Sequence, residues 1–132
     1  MKKKVLVCGS AGFLMSNFIR YILYRSKDFE IVSVDKLIDP DDFKRVYLNR
    51  NHRFYIGDVT DEYFMDRLIS IERPDWIING IGYFSANITK KVETHIKATI
   101  DSAVLLSKYK IPTIQLAQDP YVDKYGYNFT SA

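Results

Sequence analysis

The run Val5-Leu6-Val7-Cys8, followed at once by Gly9-Ser10-Ala11-Gly12, constrains this chain more than any other feature. An unbroken apolar run without polar alternation suits a strand of a parallel sheet covered on both faces. Glycine directly after such a strand permits a tight turn. Residues 13–24 then carry helical spacing, so strand, glycine turn and helix open a βαβ unit. Leu14, Phe18 and Tyr21 or Ile22 form the expected apolar stripe of that helix, widened by Ile19, with Arg20 in solvent.

The same alternation continues downstream. Residues 31–34, 53–56, 76–79 and 113–117 read as further strands. Residues 42–48, 61–71 and part of 91–109 read as helices between them. Thr60 is the expected N-cap of the helix over 61–71. Ile96, Ile100, Ala103 or Val104, and Leu106 or Ser107 are the expected stripe of the last helix. The order predicts an α/β fold: a Rossmann-like parallel sheet of about five strands with helices on both faces. Residues 1–119 read as the domain and residues 120–132 as a turn-like aromatic tail.

Composition adds exclusions. A chain of 132 residues suits a single domain, and 47% hydrophobic with 27% charged residues argues against disorder. Of the net charge of +3, the visible cluster is Lys2, Lys3 and Lys4, a solvated terminus rather than a nucleic-acid or membrane patch. Cys8 is the only cysteine, which excludes an internal disulfide and offers no metal pattern. No apolar run has the length of a membrane span or the form of a signal peptide. The expectation is a cytoplasmic protein with no metal, no nucleic-acid partner and no membrane, and with self-association left open.

The glycine turn carries the chemistry. Gly9 permits the tight turn and Gly12 lets the backbone approach a pyrophosphate, whose charge would face free N–H groups and the positive end of the helix. Ser10 and Ser16 add hydroxyls, and Phe13 and Leu14 supply the first helical amides. Asp35 ends the next strand, where a carboxylate accepts the hydroxyls of an adenosine ribose. That carboxylate opposes a 2′-phosphate and favours NAD over NADP, while Lys36 beside it leaves NADP open.

The segments VLVCGSAGFLMSNFIRYIL, VSVDKL, YIGDVTD, RPDWIINGIGYFS and HIKATIDSAVLLSKYKI occur in that order over roughly residues 3–119. Together they resemble the nucleotide-sugar branch of the extended short-chain dehydrogenase/reductase family. The dTDP-glucose 4,6-dehydratases and related NAD-dependent epimerases and dehydratases are the most similar members. The resemblance implies bound NAD and a nucleotide or nucleotide-sugar partner. It puts Asp58 against the adenine amino group, Val59 beside the ring, and Gly80 and Ile81 against the nicotinamide half.

Departures from the family are also legible. Met15 replaces the third glycine, so either the helix packing shifts or Met15 protrudes toward the site. Ile81 adds volume where the family is small, and His95 takes the place of a structural Asn. Gln118 and Asp119 stand where the family has hydroxyl residues. Family enzymes use a Tyr-x-x-x-Lys pair, in which the Tyr is the base. Tyr125 is the weak candidate here, with Phe129 where Lys belongs. The expected function is that of an NAD-binding nucleotide-sugar dehydratase- or epimerase-like protein, incomplete for catalysis on its own and without a complete sugar-binding domain. The alternative is a non-catalytic nucleotide-binding or protein-interaction module that keeps the fold.

Overall fold

The computed structural model describes residues 2–37, 40–81 and 92–116. Strands β1 (Lys3–Cys8), β2 (Phe29–Asp35), β3 (His52–Ile56), β4 (Trp76–Asn79) and β5 (Thr113–Gln115) form one sheet. Its order is β3-β2-β1-β4-β5, and every neighbouring pair is parallel. Helices α1 (Phe13–Arg25), α2 (Glu62–Glu72) and α3 (Val92–Ser107) connect the strands, with a 3-10 helix at Pro40–Arg45. This is the Rossmann-like α/β fold expected from the sequence.

The apolar run of β1 is explained by what lies on each side. Val5 and Val7 pack with Met15, Ile19, Leu23 and Ile31 on the α1 face. Leu6 and Cys8 pack with Val32, Val34, Met65, Leu68, Ile77 and Leu106 on the face of α2 and α3. Alternate side chains go to opposite faces, and both faces are core. Each fully buried aliphatic side chain contributes roughly 1.5–3 kcal/mol, so the central strand anchors the domain.

Several local expectations are corrected. The buried residues of α1 are Met15, Ser16, Ile19 and Leu23, whereas Leu14 and Tyr21 are exposed. The glycine turn sets where α1 begins and hence which residues point down, overriding the helix's own apolar spacing. In α3, Ser102 and Leu106 are buried, while Ile96, Ile100 and Val104 are exposed. Leu106 of the expected stripe packs in the core, and Ser102 one turn earlier accepts a hydrogen bond from Asn79 at the sheet. The N-cap of α2 is Asp61, whose carboxylate accepts the Phe64 N–H, and Thr60 bonds to Asp58 instead. In place of the helix expected over 42–48, the chain makes the 3-10 helix Pro40–Arg45. Residue 117 of the last expected strand, Gly82, Gln118, Asp119, Tyr125, Phe129 and the whole 120–132 tail lie outside the described residues.

The topology locates a crevice. From β1 the chain builds outward through β2 and β3, then returns to add β4 and β5 on the other side. The connections from β1 and from β4 therefore diverge at the carboxyl ends of adjacent strands, the place where open α/β sheets bind ligands.

Candidate functional site

Gly9 has φ +76°, and its N–H donates to Val34 O at 2.9 Å. Ser10 N–H donates to the same oxygen at 3.2 Å. A methyl group on Gly9 would come within 3.1 Å of the Gly80 carbonyl carbon, so both conformation and space require glycine there. The turn closes with Gly12 N–H donating to Gly9 O at 3.3 Å. Gly12 is the N-cap of α1, extended at φ −69° and ψ 163°, and no side chain caps the helix among the described residues. The first turn also lacks acidic residues. The amides of Phe13, Leu14 and Met15 are thus left for another acceptor at the positive end of the helix. The side chains of Phe13 and Leu14 are exposed, so their backbone is what they offer to the turn.

Ser10 supplies an independent sign. It is buried, and its Oγ has no hydrogen-bond partner among the described residues. A buried hydroxyl left unpaired costs about 1–3 kcal/mol. An anion seated on the turn would accept from this hydroxyl and from the free amides together. The residues present therefore fit a pyrophosphate group.

Asp35 sits beside the turn and holds it. Its Oδ2 accepts Ala11 N–H at 3.0 Å and its Oδ1 accepts Leu37 N–H at 2.8 Å. An ionised carboxylate has further lone pairs, so these bonds leave capacity for ribose hydroxyls. Gly57 N–H donates to Asp35 O at 3.0 Å, which brings Asp58 to the neighbouring strand end. Asp58 accepts Thr60 N–H at 2.8 Å and Thr60 Oγ1 at 2.7 Å, and Lys36 Nζ lies 3.1 Å away. Burial pushes the Asp58 carboxyl up, but the bonds from Thr60 and Lys36 outweigh it and hold the group below its ordinary range. Lys36 is therefore engaged with Asp58. Val59 is buried in the α2–α3 core and supports this corner from below.

The far side of the crevice is the end of β4. Gly80 N–H donates to Cys8 O at 2.9 Å, tying this loop to β1. Ile81 packs against the α2–α3 core. Met15 is buried among Val5, Val7, Ile19 and Ile31, so it fills the underside of α1, with its side chain against Gly80.

Gly9, Ser10, Gly12, Asp35 and Gly80 are thus brought together, with Lys36 and Asp58 flanking them. Sequence reasoning missed the roles of two residues. Asn79, fully buried, donates to Ser102 Oγ at 3.0 Å and Gln115 Oε1 at 2.8 Å, and accepts Ile81 N–H at 3.0 Å. An Asn closing an apolar strand just before glycine was the available signal. Arg45 reaches Ala11 O at 3.4 Å while paired to Asp42 at 3.0 Å. No sequence signal marked it, because only the fold brings the 3-10 helix over the turn.

A separate apolar groove of about 480 Å³ lies on the α1 face, lined by Val5, Phe18, Ile22, Trp76, Ile78 and Ile114 among others. Trp76 and Thr113 begin their strands, so the groove sits toward the amino ends, away from the glycine turn. Among the described residues there is no group of His, Cys, Asp or Glu that could hold a metal ion. No described helix is long and apolar enough to cross a membrane.

Comparison with known proteins adds to this geometry. Residues 5–115 match the NAD dependent epimerase/dehydratase family. The low-salt glycan biosynthesis protein Agl12 of Haloferax volcanii is 33% identical over 122 residues, covering 90% of this chain and 35% of that protein. The dTDP-D-glucose 4,6-dehydratase of Mus musculus is 32% identical over 80 residues, covering 58% of this chain and 22% of that one. Among solved structures, dTDP-glucose 4,6-dehydratase from Bacillus anthracis in complex with NAD superposes with a TM-score of 0.69 at 22% identity, covering 89% of this chain and 38% of that chain. UDP-glucose 4-epimerase with UDP-glucose from Thermotoga maritima gives 0.64 at 26% identity, covering 82% and 35%. The chain spans little more than a third of the length of such relatives, 35% and 38% in the first of each kind.

Proposed function

The chain belongs to the NAD dependent epimerase/dehydratase family, and from that premise we propose that it holds NAD at the carboxyl ends of β1, β2 and β4. The carrying observation is the buried Ser10 hydroxyl at the start of α1, which has neither a hydrogen-bond partner nor a side-chain cap beside it among the described residues. In this reading Gly9, Ser10, Gly12, Phe13 and Leu14 hold the pyrophosphate. Asp35 takes the adenosine ribose, with Lys36 at its edge. Asp58 accepts from the adenine amino group above Val59, and Gly80 and Ile81 border the nicotinamide side. When bound, the nicotinamide supplies hydride transfer to and from a sugar carbon.

The reaction class is that of nucleotide-sugar dehydratases and epimerases, of the dTDP-glucose 4,6-dehydratase type, in the cytoplasm. Within these 132 residues no Tyr is followed four positions later by Lys. Phe129 occupies that place after Tyr125, so we assign the chain the cofactor-binding part of the chemistry and not its proton transfer. Calorimetric titration with NAD, ADP and NADP tests the reading. NAD and ADP are expected to bind and NADP to bind more weakly, since Asp35 repels a 2′-phosphate. Absence of heat with NAD and ADP at millimolar concentration overturns the proposal. Incubation with NAD and dTDP-glucose is expected to give no keto-sugar from this chain alone.

A further inference from the structure

Met15 stands where the family resemblance calls for a glycine, and Gly80 is the residue it meets. A methyl group on Gly80 would lie 2.6 Å from Met15 Cγ and 3.2 Å from its Sδ. Contacts of a real Cβ essentially never fall below 3.0 Å. A methyl group on Gly9, in turn, would lie 3.1 Å from the Gly80 carbonyl carbon and 3.3 Å from Ile81 N. The backbone at Gly80 therefore lies close to both Gly9 and Met15, with its own N–H fixed to Cys8 O at 2.9 Å.

We infer that Met15, lying across Gly80, is a positioning residue for the dinucleotide: the pair fixes the spacing between the turn after β1 and the end of β4. The inference rests on the dinucleotide reading above. Met15 is only 6% exposed and packs with Val7, Ile19 and Ile31, so its side chain cannot swing aside without repacking that core. The thioether fills volume that a side chain at position 80 would otherwise take. A displacement of Gly80 bears on Gly9, whose lack of a side chain is what lets the two backbone segments lie this close. The turn amides then move relative to the phosphates, and hydrogen bonds weaken steeply with distance and angle.

The test uses the unchanged chain, Gly80→Ala, Met15→Ala and the double variant, each titrated with NAD and with AMP and melted. AMP samples Asp35, Asp58 and one phosphate, whereas NAD also passes Gly80. Gly80→Ala is expected to weaken NAD about tenfold and AMP by no more than about twofold, a split that general loss of fold does not produce. The double variant is expected to recover NAD affinity to within about threefold of the unchanged chain, because the added methyl enters the space the thioether leaves. If Gly80→Ala does not fold, a folded, NAD-binding double variant carries the same result. NAD affinity unchanged in Gly80→Ala, or no recovery in the double variant, overturns the inference while leaving the dinucleotide reading in place. Failure of the unchanged chain to bind NAD or ADP overturns that reading, and the positioning role with it.

Discussion

Asp35 holds Ala11 and Leu37 by their amides at the same corner where a ribose would need a carboxylate. Its removal therefore has two consequences that can be measured apart. Asp35→Ala is expected to destabilise the fold by about 2 kcal/mol, since charge-accepted bonds to two backbone donors are lost. It is also expected to weaken NAD by roughly tenfold or more, while Asp35→Asn restores part of the stability and little of the affinity. Urea unfolding and calorimetry on the same samples check both parts. Lower stability with unchanged NAD affinity would reduce Asp35 to a brace of the turn. The position of Asp35 at a strand end was legible in the sequence, but its grip on Ala11 was not. Only the folded turn places that amide 3.0 Å from the carboxylate.

At the scale of elements, Glu72 at the end of α2 ties three of them together. It accepts Arg53 Nε at 3.0 Å, Lys4 Nζ at 3.3 Å and the Tyr55 hydroxyl, which joins α2 to β1 and β3. The bonds from Arg53, helped by those from Tyr55 and Lys4, outweigh burial and hold its pKa at about 2 against an ordinary 4.5. The carboxylate thus binds its proton less readily folded than unfolded. Its stabilisation is complete above about pH 4.5 and is lost as pH falls through about 2. Partial exposure of Arg53 screens the pair, so Glu72→Gln is expected to cost on the order of 2 kcal/mol at neutral pH. Urea midpoints of the two proteins should converge as pH approaches the folded value. A constant gap across the acid range would assign the loss to packing instead.

For the whole molecule, the sheet separates two surfaces. The candidate crevice beside the glycine turn lies at the carboxyl ends of the strands, and the apolar groove lies toward their amino ends. Trp76, the single tryptophan, starts β4 and is 42% exposed in that groove, 6.4 Å from the Phe29 ring. Its emission is expected to be that of a half-wet indole and to be quenched by acrylamide in the folded protein. Saturating NAD should leave that quenching unchanged, because the proposed cofactor site and the indole lie at opposite ends of the sheet. Protection of Trp76 by NAD would mean that the two ends are coupled.

The sequence by itself determined the order of strands and helices, the parallel sheet and the glycine turn with Asp35 and Asp58 at adjoining strand ends. Those properties rest on local signals: an apolar run for a strand buried on both faces, glycine where φ is positive, a carboxylate ending a strand. Helix phase was not among them. Leu14 and Tyr21 had the better apolar spacing, yet Met15 and Ile19 are the residues that face the sheet. Tertiary structure decided that phase, because the turn fixes how α1 enters and the missing side chain at Gly80 leaves space that Met15 fills. It likewise brought the buried Asn79 and Ser102 and the exposed Gln115 into one hydrogen-bonded network from three elements far apart in the chain. Such pairings depend on volumes and donors meeting across the sheet, and spacing along a single chain does not carry that information.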